Sequence, residues 1–156
     1  MTRRLLWIGV LAVFTAAPAF AQSGPGIRVG VSGDPDQFVI GGHVSTGPLI
    51  ESLTFRPSVE VGVGDRRTVL ALNFEFAYWI PIENSSWQVY AGAGPAANVV
   101  WHDHDSPRRG NGDDTDVAGG LNFMVGLQHE GGLFTEFKVG AIDSPNIKFS
   151  VGWVFH

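Results

Sequence analysis

The stretch Arg67-Thr68-Val69-Leu70-Ala71-Leu72-Asn73-Phe74-Glu75-Phe76-Ala77-Tyr78-Trp79-Ile80 decides how the rest of the chain is read. Leu70, Leu72, Phe74, Phe76 and Tyr78 take every second position, and Asn73 and Glu75 stand between them. Successive side chains of a strand point to opposite faces, so this alternation predicts a β-strand with one apolar and one polar side. Past Gln22 no stretch repeats apolar residues at helical spacing, and the 21 glycines recur inside apolar runs where each would weaken a helix.

Working outward with the same period, eight segments emerge, at 26–32, 37–46, 53–64, 67–80, 87–101, 116–128, 133–142 and 146–155. The breaks carry turn chemistry: Gly33-Asp34-Pro35-Asp36, Gly47-Pro48, Asp65-Arg66, Asn84-Ser85-Ser86, Gly131-Gly132 and Asp143-Ser144-Pro145-Asn146. Only the polar connection His102 to Thr115 is long. Parallel neighbours would need a crossover of a dozen or more residues at each step, so short breaks predict an up-and-down antiparallel meander.

Sorted by parity, one face collects Ile27, Val29, Val31, Phe38, Ile40, Val59, Val61, Val63 and the apolar row of 70–78. It continues through Val99, Trp101, Phe123, Val125, Leu127, Phe137, Val139, Phe149, Val151, Trp153 and Phe155. The other face holds Arg28, His43, Arg56, Glu60, Asn73, Glu75, Gln88, Asn98, Asn122, Gln128, Glu136, Lys138, Lys148 and Ser150, interleaved with Gly and Ala. Two architectures use such alternation, and volume separates them. The lumen of an eight-stranded barrel is only wide enough for its own side chains or one small ligand. It cannot take the aliphatic and aromatic rows, whereas lipid can, and the Gly-rich polar face can fill the interior. The fold expected is therefore an all-β, eight-stranded, up-and-down antiparallel transmembrane β-barrel. Tyr78, Trp87 and Trp153 near one rim, and Phe38 and Trp101 near the other, suit interfacial aromatic belts.

The chain begins with Thr2-Arg3-Arg4, an apolar run from Leu5 to Phe14, and Ala16-Ala17-Pro18-Ala19-Phe20-Ala21. This is a basic n-region, a short h-region and an A-x-A site, predicting a signal peptide over 1–21 cleaved between Ala21 and Gln22, and a barrel domain over 22–156. The h-region is roughly ten residues, about half of what a spanning helix needs. Loss of Arg3 and Arg4 leaves eight basic against fifteen acidic side chains, a formal charge of −7, which argues against nucleic acid as a partner. With no cysteine, neither a disulfide framework nor a cysteine-linked lipid anchor is available. An even strand count puts both termini on one side, expected to be periplasmic, with the His102–Thr115 loop outside.

The closing run Phe149-Ser150-Val151-Gly152-Trp153-Val154-Phe155 resembles the last strand of outer-membrane barrels. Tyr90-Ala91-Gly92-Ala93-Gly94-Pro95 and Arg56-Pro57-Ser58-Val59-Glu60-Val61-Gly62-Val63-Gly64 likewise resemble strands of the small porin-like, OmpA/OmpX-type barrel family. The resemblance implies a bacterial outer-membrane location, lipid and lipopolysaccharide as surroundings, and recognition of Trp153 and Phe155 by the barrel-assembly machinery. Here Phe155 is followed by His156. The pattern implies a fold and no activity.

The polar face supplies the candidate site. If Asp65-Arg66 is a two-residue hairpin loop, the register sets Arg56 opposite Glu75, an expected cross-strand ion pair. Arg28, Arg56, Lys138 and Lys148 would then meet Glu60, Glu75 and Glu136 in a narrow tube, beside His43. Unpaired charge is costly there, so a packed polar plug is expected, in a monomeric barrel with a structural or surface-interaction role. Two alternatives stay open: a narrow passive pore lined by those charges, and a lipid-active enzyme. His102-Asp103-His104-Asp105 with Asp113, Asp114 and Asp116 offers ligand types suited to a divalent metal, but the spacing matches no structural zinc site, and no metal or cofactor is expected. Arg108 and Arg109 on the same loop suit lipopolysaccharide phosphates. His43 and Ser45 share a strand face but lie about 7 Å apart at strand spacing, too far for a nucleophile and its base.

Overall fold

The computed structural model describes residues 23–33, 36–65, 67–102, 115–142 and 147–156. Eight strands form: β1 Gly24–Gly33, β2 Gln37–Ser45, β3 Leu53–Gly64, β4 Arg67–Pro81, β5 Trp87–His102, β6 Thr115–His129, β7 Leu133–Ala141 and β8 Ile147–Val154. Each pairs antiparallel with its sequence neighbours, and β1 pairs with β8, closing the barrel. Closure satisfies every strand edge, which an edge in a bilayer would otherwise leave without partners.

The register fixes the dimensions. Stepping across successive pairs from Thr54, through Ala77, Gly92, Met124, Lys138, Lys148, Ser32 and Gln37, the path returns to β3 at Gly64. The shear is thus ten residues for eight strands. With ~4.8 Å between strands and ~3.3 Å rise per residue, this gives a tilt of about 40° and a backbone radius of about 8 Å. A tube that narrow is crossed by a single long side chain.

The apolar rows face outward along the whole circumference, with Ile27, Phe38, Ile40, Val59, Phe74, Phe123, Val125, Phe137 and Phe149 all exposed. The polar row faces the axis and is buried. This is the inverse of a soluble protein and is what lipid around the barrel and a filled lumen require. Two turns show the local chemistry that permits tight reversal. Asn84 adopts φ 54° between β4 and β5, a conformation Asn tolerates. Gly132 adopts φ 102° between β6 and β7, and a Cβ there would collide with the Val154 carbonyl oxygen, so only glycine fits. Pro57 lies within β3 on the outer face, and the pairing of β2 with β3 runs from Gln37–Gly64 to His43–Ser58, stopping just before it. A proline has no N–H to give to that ladder.

Candidate functional site in the barrel lumen

Inward positions carry Arg28 on β1, His43 on β2, Arg56 and Glu60 on β3, Glu75 on β4, Glu136 and Lys138 on β7, and Lys148 on β8, all buried. The carboxylates organise them. Glu136 Oε1 accepts from Arg28 Nη1 at 2.6 Å, and its Oε2 accepts from the Tyr90 hydroxyl at 2.8 Å and from Arg56 Nη1 at 3.3 Å. Glu60 accepts from Arg28 at 3.2 Å, from Lys138 at 3.3 Å and from Lys148. Glu75 pairs with Lys138 at 2.6 Å and accepts from Asn122 Nδ2 at 3.3 Å.

In a ring of eight, β3 and β7 stand diametrically opposed. The pairs Arg56–Glu136 and Lys138–Glu60 therefore span the full width of the lumen. Below them, toward the termini, Arg56 sits among aromatic faces, with its guanidinium carbon 4.7 Å from the Tyr90 ring centre, 5.7 Å from Phe134 and 5.9 Å from Trp79. Such contacts are worth ~2 kcal/mol or more when desolvated. Trp79 Nε1 donates to Thr54 Oγ1 at 2.8 Å, which satisfies both of these buried groups toward that end. A neutral ladder completes the middle: Asn73 donates to Ser58 at 2.9 Å, and Asn122 donates to Asn73 at 2.8 Å.

His43 Nε2 lies 3.3 Å from Arg56 Nη2. A guanidinium nitrogen only donates, so this ring nitrogen accepts and the imidazole proton resides on Nδ1. The ring packs edge-on against Phe134 with centres 5.2 Å apart. A nitrogen occupied by Arg56 is not placed to take a proton from a serine hydroxyl. Four cations against three carboxylates leave the network one positive charge in surplus.

No protein family and no curated protein matches the chain by sequence. Its shape does have counterparts. The crystal structure of the N-terminal β-barrel domain of Pseudomonas aeruginosa OprF superposes with a TM-score of 0.60 at 14% identity, covering 86% of this chain and 98% of that one. Neisserial surface protein A (NspA) superposes with a TM-score of 0.59 at 14% identity, covering 85% and 94%. The outer membrane enzyme PagL gives a TM-score of 0.49 at 13% identity over 83% and 96%. The chain has the fold of the eight-stranded outer-membrane barrels.

In this barrel the eight ionisable residues singled out in the sequence all face the lumen, but one pairing differs from expectation. Arg56 stands opposite Glu75 in the register, as the hairpin arithmetic requires, yet its carboxylate partner is Glu136 on the far wall. Lys138, reaching back across the lumen, takes Glu75 instead. The cause is the small radius: a side chain as long as arginine reaches the opposite wall more readily than it folds back onto its neighbour. Sequence reasoning also missed Trp79, Tyr90 and Phe134, treating the inner face as small. They share the parity of Glu75, Gln88 and Glu136 respectively, and that parity was the signal that would have found them.

Trp153, next to last in β8, points outward, and Phe155 lies just past the end of the strand, both exposed. The segment 1–21 expected to be a signal peptide, its expected cleavage site at Ala21 and Gln22, and the loop residues 103–114 lie outside the described residues. Among the described residues no cluster of three His, Cys, Asp or Glu is placed to hold a metal.

Proposed function

We propose that the protein is a closed barrel of the bacterial outer membrane with a structural or surface-interaction role, its lumen sealed by a cross-linked polar plug. The observation that carries this reading is the pair of ionic bridges, Arg56–Glu136 and Lys138–Glu60, joining opposed walls where the side chains are almost fully buried. A tube of about 8 Å backbone radius, crossed twice by such bridges, supports a closed lumen over an open one at that level. In this reading both termini are periplasmic, and the 103–114 segment faces the exterior and lipopolysaccharide. The barrel is monomeric, and Trp153 and Phe155 are read by the barrel-assembly machinery.

Planar-bilayer recording of the refolded protein tests it. The expected result is silence. Discrete current steps that vanish on Arg56→Ala or Glu75→Ala would establish a charge-lined conduit instead. Acyl release from purified lipopolysaccharide, lost on His43→Ala, would make the protein an enzyme.

A further inference from the structure

We infer that the outer wall over β1–β4 carries a groove that holds one acyl chain of a phospholipid whose headgroup lies at the rim bearing the chain termini. This rests on the membrane placement proposed above. The groove has a volume of about 530 Å³. Its lining runs from Ile27 and Phe155 at one end, past Gly42, Pro57 and Val59, to Leu72 and Phe74 at the other. The side chains forming its walls are apolar, and Ile27, Phe74 and Phe155 are exposed.

Its origin is traceable to single residues. Ile27, Gly42, Val59 and Leu72 form one continuous cross-strand row on the outer face. Every member but Gly42 carries a large aliphatic side chain. Nothing in the backbone demands a glycine at that position: φ is not positive, and an added Cβ would meet only the Gly26 carbonyl oxygen, at an ordinary 3.5 Å. Its neighbour Gly41 is different, since a Cβ there would press on the Val59 carbonyl oxygen at 2.6 Å and Glu60 Cγ at 2.8 Å. Barrel packing thus explains Gly41 and leaves Gly42 to be explained by the space it opens. Pro57, lying where the β2–β3 ladder stops, presents a flat ring beside that space.

The dimensions select the occupant. Four strands are crossed, three inter-strand spacings or roughly 14 Å. Because the shear carries the cross-strand path upward from β1 to β4, the groove starts at the terminal rim beside Phe155 and rises into the wall. With strands tilted by about 40°, that path climbs roughly 9 Å along the barrel axis, inside the ~15 Å depth of one leaflet. An apolar slot of that length, open at the headgroup level and continuous with the lipid-facing belt, suits one extended hydrocarbon chain.

The test is retention of phospholipid. The full protein is refolded into vesicles of dipalmitoyl phosphatidylethanolamine and phosphatidylglycerol, extracted in mild detergent and weighed by native mass spectrometry. Wild type is expected to keep one phospholipid. Gly42→Leu should lower the retained fraction roughly tenfold, the effect of excluding about two methylenes. Gly119→Leu, also outward with nothing within 4 Å of an added Cβ, should leave retention unchanged. Gly42→Val serves as the filler if leucine impairs insertion. Heat-modifiable gel migration and protease protection report insertion separately, so a wild type that does not insert refutes the membrane placement and not the groove. The groove assignment is overturned if inserted wild type carries no phospholipid or if Gly42→Leu retains as much as wild type. A wild-type dimer dissolved by Gly42→Leu would overturn it too, assigning the groove to a second copy.

Discussion

Replacing Glu136 by Gln removes one negative charge from the centre of the lumen while nearly preserving shape. The carboxylate serves Arg28, Arg56 and Tyr90, and Lys138 lies 3.7 Å away. Arg28 retains Glu60 at 3.2 Å, and Lys138 retains Glu75 at 2.6 Å. Arg56, fully buried, loses its carboxylate and keeps only aromatic faces and His43. Breaking a buried pair from one side costs ~3–5 kcal/mol, because the remaining charge stays desolvated. Two of the three cations near Glu136 keep a partner, so the lower end applies, about 3 kcal/mol, or roughly a hundredfold in the folding equilibrium. Urea unfolding in lipid vesicles, followed by tryptophan fluorescence, measures this directly. The double variant Arg56→Met with Glu136→Gln returns the surplus to one positive charge and should cost less than Glu136→Gln alone. A loss below about 1 kcal/mol for Glu136→Gln, no larger than that of an ordinary neutral hydrogen bond, would refute the view that this carboxylate compensates buried cations.

Two further outcomes probe the walls. Phe123 points outward at the middle of β6, so Phe123→Arg should cost ~2–4 kcal/mol and reduce folding yield in vesicles; an unchanged yield would contradict the lipid-facing assignment. At Gly94 an added Cβ would come within 2.6 Å of Glu75 Cα and 2.8 Å of the Phe74 carbonyl carbon, so Gly94→Ala should destabilise by ~1–3 kcal/mol. Gly42→Ala should be neutral; urea unfolding in vesicles compares the two variants, and equal effects at the two sites would count against the packing described.

By itself the sequence determined which residues face outward and which face the axis, because a pleated strand assigns faces by parity and every segment keeps its parity from end to end. It also placed the strands closely: 67–80 was expected where β4 runs Arg67–Pro81, and 53–64 coincides with β3. Hairpin registers followed from turn lengths, which is why Arg56 stands opposite Glu75. Only the tertiary structure decided which inward groups meet. Arg56 and Glu136 are brought together by closure, and Tyr90, Trp79 and Phe134 gather around the same guanidinium from three different strands. The groove beside Gly42 likewise needs four strands held at one relative height. Pleat and turn are local properties of the chain, whereas shear and radius emerge only when β8 reaches β1, and they alone set how far a side chain must reach to find its partner.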